Sequence, residues 1–162
     1  GIQSRINRQR VEAFLAEVEA GLSVYQIENG IYPQNEPTGD RDSSGVEGAH
    51  ILYKHLSGDW DLDGEADSTL VDNTKDEKIY VQNLTLDQSE GSGDPRATDI
   101  GGRIRVIDSY GNPIRYLAEP PNLDPNDRND EMRNPTYDLW SIADADPNDP
   151  ADEAKYITNW GN

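Results

Sequence analysis

Between Asp59 and Asp67 the chain reads Asp59-Trp60-Asp61-Leu62-Asp63-Gly64-Glu65-Ala66-Asp67, with carboxylates on alternate positions up to a glycine. Hard oxygen donors at alternate positions, with Gly where a sharp turn is needed, are what an EF-hand-type loop offers to Ca²⁺. Asp59, Asp61, Asp63 and Asp67 fall on the first, third, fifth and ninth places, and Glu65 on the place that ligates through its carbonyl. The twelfth place holds Leu70, not a bidentate glutamate, so the donor set is incomplete. The competing reading is a solvated acidic loop.

A second acidic run is Asp144-x-Asp146-x-Asn148-Asp149-x-x-Asp152-Glu153. Clustered carboxylates repel unless a cation or solvent screens them, so Asp144, Asp146, Asn148 and Asp152 are the other candidate Ca²⁺ ligands. Pro147 and Pro150 bend the path of this loop.

Covalent chemistry finds little support. Cysteine is absent, which removes thiolate ligands and a cysteine nucleophile. His50 and His55 stand five residues apart and point in different directions on a helix, unlike the i, i+4 pair of a zinc site. No Gly-x-Ser-x-Gly elbow, phosphate-binding glycine loop or His-Glu-x-x-His occurs, so no catalytic residue is expected. Trp60, Trp140 and Trp160 suggest sugar stacking, but packing is the commoner role of aromatic side chains.

The 162 residues carry a formal charge of −18. Arg5, Arg8 and Arg10 place +3 in the first ten residues and leave −21 on the rest, which disfavours phosphate backbones as partners. Nucleic acid is therefore not expected to bind. With 33% hydrophobic residues the chain can bury one modest core and must carry long solvated loops. One domain over residues 1–162 is expected.

The elements that position these residues follow from periodicity. Val11, Phe14, Leu15, Val18, Leu22 and Tyr25 form one helical face, and Asn29-Gly30 followed by Pro33 is a stop, which predicts a helix over residues 2–29. At 1.5 Å per residue that helix is about 42 Å long, longer than the domain needs, so its N-terminal end should project. A short helix is expected over residues 46–56, a strand over 78–84 and a mobile polar stretch over 87–99. Residues 103–107 and 114–117 flank Asp108-Ser-Tyr-Gly-Asn-Pro113 and read as a hairpin, with 137–142 as the next antiparallel strand. The fold class is thus α+β: a long N-terminal helix packed on a small antiparallel sheet, with long acidic loops.

The order of parts adds more. Val24-Tyr-Gln-Ile-Glu-Asn-Gly-Ile-Tyr-Pro33, Asp108-Ser-Tyr-Gly-Asn-Pro-Ile-Arg-Tyr116, Tyr137-Asp-Leu-Trp-Ser141 and Ile157-Thr-Asn-Trp160 follow a long amphipathic helix. This resembles the major pseudopilins of type II secretion systems, members of the type IV pilin-like superfamily. The resemblance implies residues 1–29 as the N-terminal pilin helix, truncated of its apolar first half, residues 30–162 as the globular part, and that apolar upstream segment anchoring the subunit in the bacterial inner membrane, with the globular part in the periplasm. It implies partners too: other pseudopilin subunits in a filament, and the secretion machinery. It also implies a structural Ca²⁺ in the Asp144–Glu153 loop, although this chain has Tyr156 where the family carries an Asp before the closing Ile. A secreted calcium-dependent binding module, with glycans as one ligand class, is the alternative that the residues leave open.

Overall fold

The computed structural model describes residues 1–34, 44–66, 78–119, 126 and 132–160. Helix α1 spans Ile2–Asn29, as its periodicity predicts, and buries Val11, Phe14, Leu15, Val18 and Leu22. Gly30 ends it in the left-handed region (φ 82°), its N–H reaching Gln26 O at 2.7 Å. Glycine takes this conformation without a Cβ clash, which is why the helix stops there. Residues 2–10 carry no buried side chain, consistent with a helix longer than the core. Among the described residues no helix is long and apolar enough to cross a membrane.

Helix α2 (Gly48–Leu56) lies over the strands. Strand β1 (Ala97–Ile100) pairs antiparallel with β2 (Arg103–Val106), and β3 (Arg115–Ala118), β4 (Tyr137–Ser141) and β5 (Ile157–Thr158) form a second antiparallel sheet in the order β3-β4-β5. A single helical turn, α3 (Leu86–Ser89), precedes β1, and a 3₁₀ helix, Pro150–Lys155, precedes β5. Strand β4 is buried on both faces. Tyr137 and Leu139 enter the main core with α1 and α2, while Trp140 joins Leu117, Ile142 and Ala145 in a smaller cluster under Trp160.

Three expectations are corrected. Residues 78–84 form no strand: the Tyr80 and Val81 N–H groups both donate to Leu56 O at 3.0 Å, and Asn83 is left-handed at φ 59°. The last carbonyls of a helix have no partner within it, and here that need captures the segment as a cap for α2. Gly21 of α1 admits it, since a Cβ there would sit 2.6 Å from Val81 Cγ2. Residues 87–99 are not a featureless stretch but carry the end of α3 and most of β1, with the Ala97 N–H bound to Ser89 Oγ at 3.2 Å. The hairpin is real only at its base, where Ile107 bridges Pro113 and Ile114 N–H donates to Val106 O. Beyond it β2 turns to β1 and β3 turns to β4.

Helix α2 meets β3 at its first residue. A Cβ on Gly48 would stand 2.0 Å from the Tyr116 carbonyl oxygen, which is backbone and cannot swing aside. Gly48→Ala is therefore expected to cost about 1–3 kcal/mol, read as a lowered thermal midpoint. Gly93→Ala, with nothing within 4 Å of the new Cβ, should leave the midpoint nearly unchanged.

Candidate metal centre

Asp59 stands three residues past the last residue of α2, Leu56, and is fully buried. Tyr53, also fully buried one and a half turns earlier, donates its hydroxyl to Asp59 Oδ2 at 2.5 Å. The loop then folds back onto the same carboxylate: Asp63 N–H donates to Oδ1 at 3.0 Å and Gly64 N–H to Oδ2 at 2.9 Å. Leu62 (φ 60°) and Gly64 (φ 94°) supply the left-handed residues that this tight return needs. Asp61 and Asp63 remain exposed, with Asp63 Oδ1 accepting from Glu65 N–H at 2.8 Å. The far side is closed by α3, where Asp87 N–H reaches Gly64 O and Leu86 N–H reaches the Tyr53 hydroxyl.

One carboxylate oxygen from each of Asp59, Asp61 and Asp63 lies within 4.8 Å of the others, and among the described residues no other group of three His, Cys, Asp or Glu side chains converges in this way. These three can hold a metal ion. Asp67, the fourth proposed ligand, lies outside the described residues, as does Leu70. Loss of solvent first, with its two neighbouring aspartates adding to it, raises Asp59 to about 6 against the pull of its Tyr53 and Gly64 donors. Burial first, then Asp59 beside it, pushes the Tyr53 phenol upward and keeps it a proton donor. A cation is suited to this loop because it screens three oxygens that otherwise repel.

The second acidic loop is arranged differently. Asp144, Asp146 and Asn148 are exposed and form no convergent group with Asp152. Asp152 is occupied: its Oδ2 accepts Asp146 N–H at 2.9 Å, its Oδ1 pairs with Lys155 at 3.3 Å, and the two hold it below the usual carboxylate range. Asp146 Oδ1 in turn accepts Asn148 N–H. The prolines set this path, with Pro150 starting the 3₁₀ helix and Asp149 capping it through Ala151 N–H.

Two buried carboxylates escape a reading by metal spacing. Asp108 accepts Tyr110 N–H (2.9 Å), Asn112 N–H (3.0 Å) and the Ser141 hydroxyl (2.6 Å), yet burial still raises it above its ordinary value. Asp138 accepts Arg133 N–H (2.7 Å) and Asn134 N–H (2.8 Å). The signal in each case is an Asp placed a few residues from a Gly-Asn-Pro or Asn-Pro turn. Nearby, Asn159 works as a substitute strand residue, its Oδ1 taking Leu139 N–H and its own N–H donating to Leu139 O.

The histidines and tryptophans are engaged in packing and hydrogen bonds within the fold. His50 is buried with Nδ1 2.9 Å from Ile104 O, and His55 is half-buried with Nδ1 3.1 Å from the Tyr25 hydroxyl. Trp60 packs edge-on to His55 beneath Lys54, and the buried Trp140 packs against Trp160.

In chelator, Asp59 fixes a sign of pH dependence. Its proton is held more tightly in the folded state than at the ordinary 3.8, so its contribution to stability falls as pH rises from about 4 through about 6. The stability of the parent minus that of Asp59→Asn, taken from urea melts, should therefore decrease between pH 4 and pH 7. A constant difference would contradict the burial of this charge.

Comparison of the chain with protein-family models, with curated proteins and with solved structures returns no match.

Proposed function

We propose that this chain is the globular, periplasmic part of a type II secretion pseudopilin, a structural subunit that joins other pseudopilins in a filament and acts with the secretion machinery in protein export. The observation that carries the reading is spatial. The motif residues lie apart in the sequence but meet in one frame around the β3-β4-β5 sheet. The Tyr116 hydroxyl donates to Pro33 O at 2.5 Å, Tyr32 packs on Tyr137 with ring centroids 4.8 Å apart, Ser141 binds Asp108, and Asn159 binds Leu139. A set of residues that resembles one family in order, and also braces one sheet, has a shared structural reason to occur together.

In this reading the chain performs no covalent chemistry, and an apolar helical segment ahead of Ile2 anchors the subunit before assembly. Heterologous contacts between successive subunits generate an open helical filament. The test is expression of the full-length precursor with its secretion machinery, followed by electron microscopy of the fraction sheared from the cells. Filaments containing this chain are expected. A precursor that is processed by signal peptidase and released as a free protein would overturn the reading.

The cation at Asp59, Asp61 and Asp63 is proposed to be Ca²⁺, because carboxylates at alternate positions, with backbone carbonyls near, suit six to eight oxygen ligands better than the strict octahedron of Mg²⁺. An ion that binds only the folded state adds roughly 2.7 kcal/mol at a hundredfold excess over its Kd. Calcium is expected to raise the thermal midpoint relative to chelator, Mg²⁺ to do so poorly, and Asp61→Ala to abolish the shift. Asp146→Ala should leave the shift intact, and if it alone removes the shift, the ion sits in the other loop.

A further inference from the structure

Where α3 leads into β1 the chain forms a hollow of about 320 Å³, lined by Asn83, Gln88, Ser89, Ser92, Asp94 and Arg96. Its volume is at the small end of the range for small-molecule sites. Every lining side chain is polar, and none of the three tryptophans takes part.

The walls are held from outside the hollow. On one side α3 is tied to the Asp59 loop, with Asp87 N–H on Gly64 O at 2.9 Å and Leu86 N–H on the Tyr53 hydroxyl at 3.2 Å. On the other, Arg96 pairs with Glu17 at 2.7 Å, reaches Gln82 O at 3.4 Å and lies over the Phe14 ring, 4.7 Å from its centroid. Between them Ser92 N–H donates to Ser89 O, and Asp94 N–H to Ser92 Oγ. Groups fixed before a ligand arrives lose little freedom in binding it.

The hydrogen-bonding capacity of the lining is largely unspent. Among the described residues the Asn83 and Gln88 side-chain amides and the Asp94 carboxylate have no partner. Ser89 is 3% exposed, and its Oγ accepts Ala97 N–H at 3.2 Å, but its hydroxyl proton finds no acceptor among the described residues. A buried donor left unsatisfied is costly, so the hollow must supply an oxygen.

The mixture of groups selects the ligand. An anion is disfavoured, because Asp94 stands in the hollow and the Arg96 charge is already paired with Glu17. A cation suits Asp94 but leaves the amide and hydroxyl donors facing it unused. Hydroxyl groups both donate and accept, and several of them on one small rigid ring can use the carboxylate, the two amides and the serine together.

We propose that this hollow is a binding site for one neutral sugar ring. Asp94 accepts from its hydroxyls, the Asn83 and Gln88 amides donate to and accept from them, and Ser89 gives its buried proton to a ring substituent. The site goes beyond the pseudopilin reading and does not rest on it, since every group belongs to a single chain. Without an aromatic platform little apolar area is gained, so binding should be in the millimolar range.

The test is a ¹H–¹⁵N NMR titration of the chain with the methyl glycosides of glucose, galactose, mannose and N-acetylglucosamine, and with ethylammonium chloride. At least one glycoside is expected to shift the amides of Gln88, Ser89, Asp94 and Arg96 with a saturating curve. The Ala97 amide should move with them, because its N–H rests on the Ser89 oxygen. Gln88→Ala and Asp94→Ala remove side chains that bond to nothing else in the described fold, and each should weaken that glycoside about fivefold or more. No shift at these amides with any glycoside at hundreds of millimolar would overturn the proposal. So would shifts indifferent to both substitutions, which would place the sugar elsewhere, or a response to ethylammonium alone, which would mean a cation site. Failure of the full-length precursor to form filaments would leave these readouts untouched.

Discussion

Three carboxylates, Asp59, Asp108 and Asp138, lie in the interior with 0%, 2% and 1% of their surface exposed. A buried charge without hydrogen bonds is too costly to keep, and these three meet the cost with backbone N–H groups of the loops beside them; among the described residues none of them pairs with a lysine or arginine side chain. Each loop is thereby tied to one point: Asp59 organises 59–64, Asp108 organises 108–112, and Asp138 gathers Arg133 and Asn134. In a chain with one third hydrophobic residues, this does for the loops what apolar packing does for α1 and the sheets.

The same device distinguishes the candidate metal centre from the rest of an acidic surface. Asp108 and Asp138 spend their oxygens on backbone and hydroxyl donors, and among the described residues neither joins a convergent group of three acids. The Asp59 loop brings two. Because the buried carboxylate fixes the backbone through Asp63 and Gly64, Asp61 and Asp63 are held near it, and repulsion among the three is the cost that a cation offsets. In the Asp144–Glu153 segment Asp152 is held by Asp146 N–H and Lys155, Asp146 by Asn148 N–H and Asp149 by Ala151 N–H, so these acids turn to the loop's own donors instead of converging.

What the sequence made legible was whatever depends on near neighbours. The span of α1 follows from its periodic face and Gly30, and β4 follows from its short β-favouring run. The strand expected over 78–84 failed because Ile79, Tyr80 and Val81 have strand character but were claimed by the unpaired end of α2, a tertiary demand that local pattern does not reveal. Strand β1 did leave a signal: Gly101 and Gly102, at φ 63° and 87°, are a two-residue hairpin connection between Ala-Thr-Asp-Ile and Arg-Ile-Arg-Val. The alternate aspartates of the Asp59 loop were legible as donors, but that Asp59 is buried and bound to Tyr53 was not, since Tyr53 reaches it only after α2 folds.

If buried carboxylates hold the loops, their protons must show it. The most direct measurement is a ¹³C NMR titration of the aspartate side-chain carboxyls in the cation-free protein. The account predicts Asp59 titrating near 6 and Asp108 above its ordinary value. Titration of both at the model-peptide value of about 3.9 would mean that neither carboxylate is desolvated, and would contradict the account.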